Sequence, residues 1–175
     1  SLPLYQYLGG SLREITTDIT VGIDEPGQMA LVARRFKENG AATLKVKVGK
    51  APAVDIARVK AIRAAVGPLM KIRLDANQGW DFAGAVEALT GMKDLNIECC
   101  EQPMRSYDDA KIAALKEQTD IPLMADESCY HPRDVTRVAE AGFDYINIKL
   151  AKSGGIDNAL EISRVAAAAG IPCMM

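Results

Sequence analysis

Thr43-Leu44-Lys45-Val46-Lys47-Val48 puts three aliphatic side chains on one parity and two lysines on the other. Successive side chains of a β-strand face opposite sides. The aliphatic face must meet packing helices, so Lys45 and Lys47 point the other way, toward an interior. Two later stretches repeat the pattern: Ile72-Arg73-Leu74-Asp75 turns Arg73 and Asp75 inward, and Tyr145-Ile146-Asn147-Ile148-Lys149 turns Asn147 and Lys149 inward. A purely structural interior would carry Val, Ile or Leu at these positions. Buried charge is costly unless it is paired or bound to metal, so these residues call for a functional explanation.

Outward from this stretch, short β-rich runs alternate with longer amphipathic ones. The strand runs are Ile15–Ile23, Thr43–Val48, Lys71–Asp75, Asn96–Cys100, Pro122–Asp126, Asp144–Leu150 and a stub, Pro172–Met175. Between them lie helical patterns over Gly27–Asn39, Pro52–Val66, Phe82–Met92, Tyr107–Thr119, Pro132–Ala141 and Gly155–Ala169. Asp81 before the third pattern and Gly40, Gly67, Gly142 and Gly170 after others supply start and stop signals. Strict strand–helix alternation implies parallel strands joined by right-handed crossovers. An open sheet would usually carry a glycine-rich phosphate loop after its first strand, and none appears. The fold class expected is therefore α/β, a parallel (β/α)8 TIM-type barrel. It is incomplete here, at about six and a half βα units against the usual eight. Residues 1–12 read as a linker arriving from upstream, and 13–175 as a partial catalytic barrel lacking most of strand seven and all of strand eight.

Composition narrows the function classes. The 175 residues are 49% hydrophobic and 25% charged with net charge −2, which gives no footprint for nucleic acid or an anionic membrane. No apolar run approaches the roughly 20 residues that span a bilayer. Cys99, Cys100, Cys129 and Cys173 form no CxxC pair and read as free thiols of a reducing cytoplasm. His131 is the one histidine, so a zinc site lacks partners. It precedes Pro132 at a helix start and reads as a loop or capping residue. Trp80 reads as loop packing, and Met174 and Met175 as core.

The ionisable residues at successive strand ends are Lys47, Asp75, Glu101, Asp126 and Lys149, separated by 28, 26, 25 and 23 residues, one βα unit each. Function in this barrel class gathers at the carboxyl ends of several strands. Three carboxylates with nothing soft beside them suit Mg²⁺. At the fifth strand either Asp126 or Glu127 can be the inward ligand, and parity with the regular strand favours Asp126. A lysine beside a divalent ion and a second cation loses proton affinity and becomes a competent base. Two opposed lysines around such an ion can move a carbon-bound proton by way of an enolate, as in racemisation, epimerisation or a related elimination.

These residues resemble the enolase superfamily, specifically its muconate-lactonising subgroup. The matching motifs are Lys45-Val46-Lys47, Leu74-Asp75-Ala76-Asn77, Glu101-Gln102-Pro103, Ala125-Asp126-Glu127-Ser128, and Ile148-Lys149 running into Lys152-Ser153-Gly154-Gly155. A lysine or histidine base working with magnesium is the general pattern of that superfamily. The resemblance implies Asp75, Glu101 and Asp126 as ligands of one Mg²⁺, Lys47 and Lys149 as the two acid/base catalysts, and Lys45 as an auxiliary cation on the substrate carboxylate. It also implies a separate N-terminal capping domain, upstream of residues 1–12. Within the subgroup the chain is most similar to dipeptide epimerases of the L-Ala-D/L-Glu type, through Thr16-Thr17-Asp18-Ile19-Thr20, Asp126-Glu127-Ser128, Lys149 to Gly155 and Ile171-Pro172-Cys173-Met174-Met175. Thr20 then becomes a substrate contact. Acidic residues on an eighth strand would hold the dipeptide's amino group. A small-molecule dipeptide is the expected partner, and a homo-oligomer is left open. Rival activities with the same lysines are o-succinylbenzoate synthase, N-acylamino acid racemase and muconate cycloisomerase. A rival of another class is a barrel that binds a carboxylate without catalysis, but none of the five catalytic positions is lost.

Overall fold

The structure, a computed structural model, describes residues 2–175. Its elements run α1 (Leu4–Tyr7), β1 (Ile19–Val21), α2 (Pro26–Glu38), β2 (Thr43–Lys47), α3 (Pro52–Val66), β3 (Lys71–Asp75), α4 (Phe82–Met92), β4 (Ile97–Glu101), α5 (Ile112–Lys116), β5 (Leu123–Ala125), α6 (Asp134–Ala141), β6 (Tyr145–Asn147), α7 (Leu150–Ser153), α8 (Ile156–Ala168) and β7 (Cys173–Met174). The seven strands form one sheet in the order of the chain, every pairing parallel. Arg73 Nη1 on β3 reaches the Met174 sulfur on β7 at 3.3 Å, so the sheet curls into part of a barrel.

Local chemistry sets the helix ends. α2 and α3 begin with Pro26 and Pro52, whose missing N–H would be unpaired there in any case. Asp81 caps α4 by accepting from Gly84 N at 2.8 Å. The aliphatic parity reads out as expected: Leu44, Val46, Ile72, Leu74 and Ile146 are fully buried against the helices. Each such side chain contributes about 1.5–3 kcal/mol of apolar burial. The opposite parity carries the polar interior.

Several boundaries differ from expectation. Of Ile15–Ile23, only Ile19–Val21 pairs with β2, and Ile15 is 86% exposed. Within the stretch 1–12 read as linker, Leu4–Tyr7 form the helical turn α1, and Ser1 lies outside the described residues. Tyr107–Thr119 is not one helix: Ser106–Lys111 is a 3₁₀ segment before α5. There the buried Asp109 carboxylate is bound by Ser128 Oγ at 2.7 Å and by Arg137, which fixes the segment in a tighter turn. The sixth strand ends at Asn147 rather than Leu150, because Lys152 N bonds Lys149 O at 2.9 Å and starts a helical turn.

The loops after β2 and β3 are packed backbone to backbone. A Cβ at Gly79 would lie 2.0 Å from Gly49 O, and one at Gly49 would lie 2.0 Å from Ala76 O. Only glycine permits that approach, and Gly49 also has φ +94°. Fully buried Asp55 secures the contact, accepting from Gly49 N (3.0 Å), Lys50 N (2.8 Å), Arg58 Nη1 (2.9 Å) and Trp80 Nε1 (3.1 Å). Trp80 thus packs and bonds within the loops, as its sequence context suggested. The strand ends bearing Lys47 and Asp75 are held as one unit.

Candidate active site

At the carboxyl ends of β2 to β6 the interior side chains converge. Asp75, Glu101 and Asp126 are each at most 2% exposed. Lys45 Nζ lies 2.9 Å from Asp75 Oδ2 and 2.5 Å from Glu101 Oε2. Lys47 Nζ donates to Asp75 Oδ2 and to Asn77 Oδ1, both at 2.6 Å. On the other flank Lys149 Nζ pairs with Asp126 Oδ2 and lies 3.3 Å from Glu101 Oε1. Asn147 Nδ2 donates to that same Glu101 oxygen at 2.7 Å. Glu101 is therefore the centre, with an ammonium on each oxygen, Lys47 beyond Asp75 on one side and Lys149 beside Asp126 on the other.

All six charged positions are linked in one chain of contacts, from Lys47 through Asp75, Lys45, Glu101 and Lys149 to Asp126. Thr20, the remaining expected contact, pairs in register with Lys45 and so shares the interior face, exposed at the rim. Among the described residues it makes no side-chain hydrogen bond to the cluster. His131 lies in the turn before α6, where its Nδ1 accepts from Arg133 N at 3.3 Å. That is a capping role, away from the cluster.

Three contributors, Lys152, Asn77 and Gln102, were given no role in the sequence reading, and Glu127, its alternative to Asp126, joins them. Lys152 Nζ lies 2.6 Å from Asp126 Oδ1 and also reaches the carbonyls of Asp126, Cys129 (3.1 Å) and Asn147 (3.1 Å). Its signal was its spacing, three residues after Lys149 across one helical turn. Asn77 bridges Lys47 and Glu127, donating to Glu127 Oε1 at 3.3 Å. Glu127 joins the rim because regular alternation stops where β5 ends at Ala125, so adjacent residues 126 and 127 both reach the cluster. Gln102, fully buried, bonds the loops after β4 and β5.

Electrostatics follow the crowding. Burial, then the Asp75 charge and a hydrogen bond with Asp126, raise the Glu101 carboxyl above its ordinary value, with Lys45 partly opposing. Burial also acts to raise Asp126, but hydrogen bonds from Glu101, Lys149 and Lys152 outweigh it and hold it low. For Lys45 and Lys149 burial acts to lower the ammonium. Hydrogen bonds to Glu101 and Asp75, and to Asp126, win and leave both raised.

The donor set fits a hard divalent cation: carboxylate oxygens from adjacent strands, without sulfur or imidazole. Two buried oxygens, Asp126 Oδ1 and Glu127 Oε2, lack a directed hydrogen bond. Among the described residues no three acidic, thiol or imidazole groups are already drawn around one point. The lysines instead link the carboxylates two at a time. A large cavity lies elsewhere, at the amino end of the barrel, lined by Arg73, Glu98, Cys99, Tyr145 and Met174. Its charges are already paired, Arg73 with Glu98 at 2.5 Å and with Asp18 at 3.2 Å. All four cysteines are free, and burial pushes the Cys99 thiol up to about 12. No helix among the described residues is long and apolar enough to cross a membrane.

Comparison with known proteins gives the family and the fold. Residues 28–175 match the family described as Enolase C-terminal domain-like. A hydrophobic dipeptide epimerase of Enterococcus faecalis is 48% identical over 175 residues, covering 99% of this chain and 49% of the relative. An L-Ala-D/L-Glu epimerase of Bacillus subtilis is 47% identical over 178 residues, covering 99% of this chain and 49% of the relative. The crystal structure of a dipeptide epimerase from Cytophaga hutchinsonii, complexed with Mg and D-Ala-L-Val, superposes with a TM-score of 0.94 at 43% identity, covering 98% of this chain and 47% of that one. The chain spans about half the length of the relatives it matches.

Proposed function

The chain belongs to the Enolase C-terminal domain-like family, and from that premise we propose that it carries the acid/base centre of an Mg²⁺-dependent dipeptide epimerase of the L-Ala-D/L-Glu type. The observation that carries this reading is the pair Lys47 and Lys149 on opposite flanks of three buried carboxylates. In this reading Asp75, Glu101 and Asp126 hold the ion, which when bound supplies the positive charge against which negative charge builds on the substrate carboxylate.

The other steps belong to this chain's side chains. Lys45 adds a second cation toward the carboxylate. One of Lys47 and Lys149 removes the α-proton from one face, and the other delivers a proton to the opposite face, which inverts the centre. Four carboxylates (Asp75, Glu101, Asp126, Glu127) face four amines (Lys45, Lys47, Lys149, Lys152), so their charges cancel. A divalent ion makes the centre positive, which favours an anionic substrate. Lys149 is raised by its hydrogen bond to Asp126 and by the Glu101 charge; with those carboxylates shared by an ion, the amine would fall toward a usable base.

The Enterococcus and Bacillus relatives bear names for different side-chain classes, so the test uses two substrates. The full-length protein with Mg²⁺ in D₂O, given L-Ala-L-Glu or L-Leu-L-Tyr, is expected to replace the α-hydrogen of the second residue with deuterium while its configuration scrambles. Proton NMR follows the loss of that signal. Retention of the α-hydrogen in both dipeptides at saturating Mg²⁺ would end the epimerase reading, and the faster substrate assigns the side-chain class.

A further inference from the structure

We infer that Gln102 is a positioning residue that fixes the separation of the second and third carboxylates, Glu101 and Asp126, on which the Mg²⁺ site proposed above depends. Gln102 follows Glu101 directly, is 0% exposed, and has φ +39°, a left-handed conformation that is unfavourable for a non-glycine residue. That conformation turns its side chain under the fifth strand end. There Gln102 Oε1 accepts from Asp126 N at 2.9 Å and Ser128 N at 3.2 Å. Its Nε2 donates to Ser128 Oγ at 2.8 Å and to Met104 O at 3.1 Å. Gln102 N bonds Met124 O at 2.8 Å, one strand pairing earlier. One residue therefore ties the backbone bearing Glu101 to the backbone bearing Asp126 through three bonds.

The tie is itself braced. Ser128 Oγ passes its own hydrogen to Asp109 Oδ1 at 2.7 Å. Arg137, at 2.5 Å from both Asp109 Oδ2 and Ser128 O, closes the network at the surface. The direction of each bond is fixed, because Gln102 Nε2 can only donate and Oε1 can only accept. Isosteric apolar replacement removes all four side-chain bonds at once. Groups that orient metal ligands typically carry 10- to 100-fold in metal affinity.

The test is Gln102→Met in the full-length protein, with Mg²⁺ binding read by titration calorimetry and folding by circular dichroism. Binding at least 10-fold weaker than wild type, in a variant that is folded at the titration temperature, supports the positioning role. Unchanged Mg²⁺ affinity in a folded Gln102→Met overturns it and leaves the wild-type metal site standing. Absence of Mg²⁺ binding in the wild type overturns both this role and the metal reading. If Gln102→Met does not fold, Ser128→Ala decides, since it keeps the glutamine and removes its brace. Weaker Mg²⁺ binding there supports the role and wild-type binding overturns it.

Discussion

Replacing Lys47 by methionine is expected to reduce epimerisation by about 10²- to 10⁴-fold, the range a positioned acid/base group contributes. Methionine preserves the length and apolar stem of the side chain and removes only the amine. The carboxylates lose one of several partners: Asp75 keeps Lys45 at 2.9 Å, so the cluster remains compensated. Mg²⁺ affinity should therefore change little. A second consequence separates this mechanism from a single-base one. With Lys47 gone, Lys149 still faces one side of the substrate and can remove the proton and, after its amine exchanges with solvent, return a deuteron on that same face. The variant should exchange the α-hydrogen of one stereoisomer with D₂O, retaining its configuration, and should leave the other stereoisomer untouched. Lys149→Met should show the reverse preference. Wild-type epimerisation in either variant would mean that some other group is the base.

Glu101→Gln is expected to have the largest effect on the metal. The carboxylate is the centre of the cluster, and both its oxygens accept from donors: Lys45 at 2.5 Å on one, Asn147 at 2.7 Å and Lys149 at 3.3 Å on the other. A glutamine must place its NH₂ on one of these sides, and in either orientation a donor then faces a donor. An unsatisfied buried group costs about 1–3 kcal/mol, more where charge is involved. Loss of a ligand should exceed the 10- to 100-fold attached to groups that merely orient one. Titration calorimetry should show Mg²⁺ binding weakened by more than about 100-fold, and urea unfolding of the metal-free variant a loss of stability. Undiminished Mg²⁺ affinity would place the ion elsewhere.

The strand parities around Lys45–Lys47, Arg73–Asp75 and Asn147–Lys149 were legible because period-2 alternation separates a helix-facing side from an interior side without further information. The same alternation favoured Asp126 over Glu127 as the inward residue; in the structure β5 ends at Ala125, and the loop carries both carboxylates to the cluster. Helix starts held where backbone chemistry sets them, as at Pro52 and after Asp81, while the second helix starts at Pro26, one residue before the expected Gly27. They failed at residues 106–119, where a tertiary ion pair between Asp109 and Arg137 overrides local propensity. Gln102 was not legible: it acts largely through bonds to backbone atoms of neighbouring loops, and such bonds leave no periodicity or spacing in the chain. Lys152 was marked only by its spacing from Lys149, and its pairing with Asp126 is set by the fold. Lys152 is further held by Tyr130, whose ring centroid lies 5.3 Å from its nitrogen.

The charge arrangement also explains why Lys45 and Lys149 stand raised. Opposed amines on a set of carboxylates are a stable ion-pair network in themselves, and such networks perturb proton affinity without any catalysis. What distinguishes a catalytic centre is a competing cation that frees the amines. A crystal structure of the full-length protein with Mg²⁺ tests that directly. The ion should sit about 2.0–2.1 Å from oxygens of Asp75, Glu101 and Asp126, with Lys47 and Lys149 on either side of it and no longer paired to those oxygens. An ion bound away from these three residues, or lysines still bridging the carboxylates beneath it, would contradict the account.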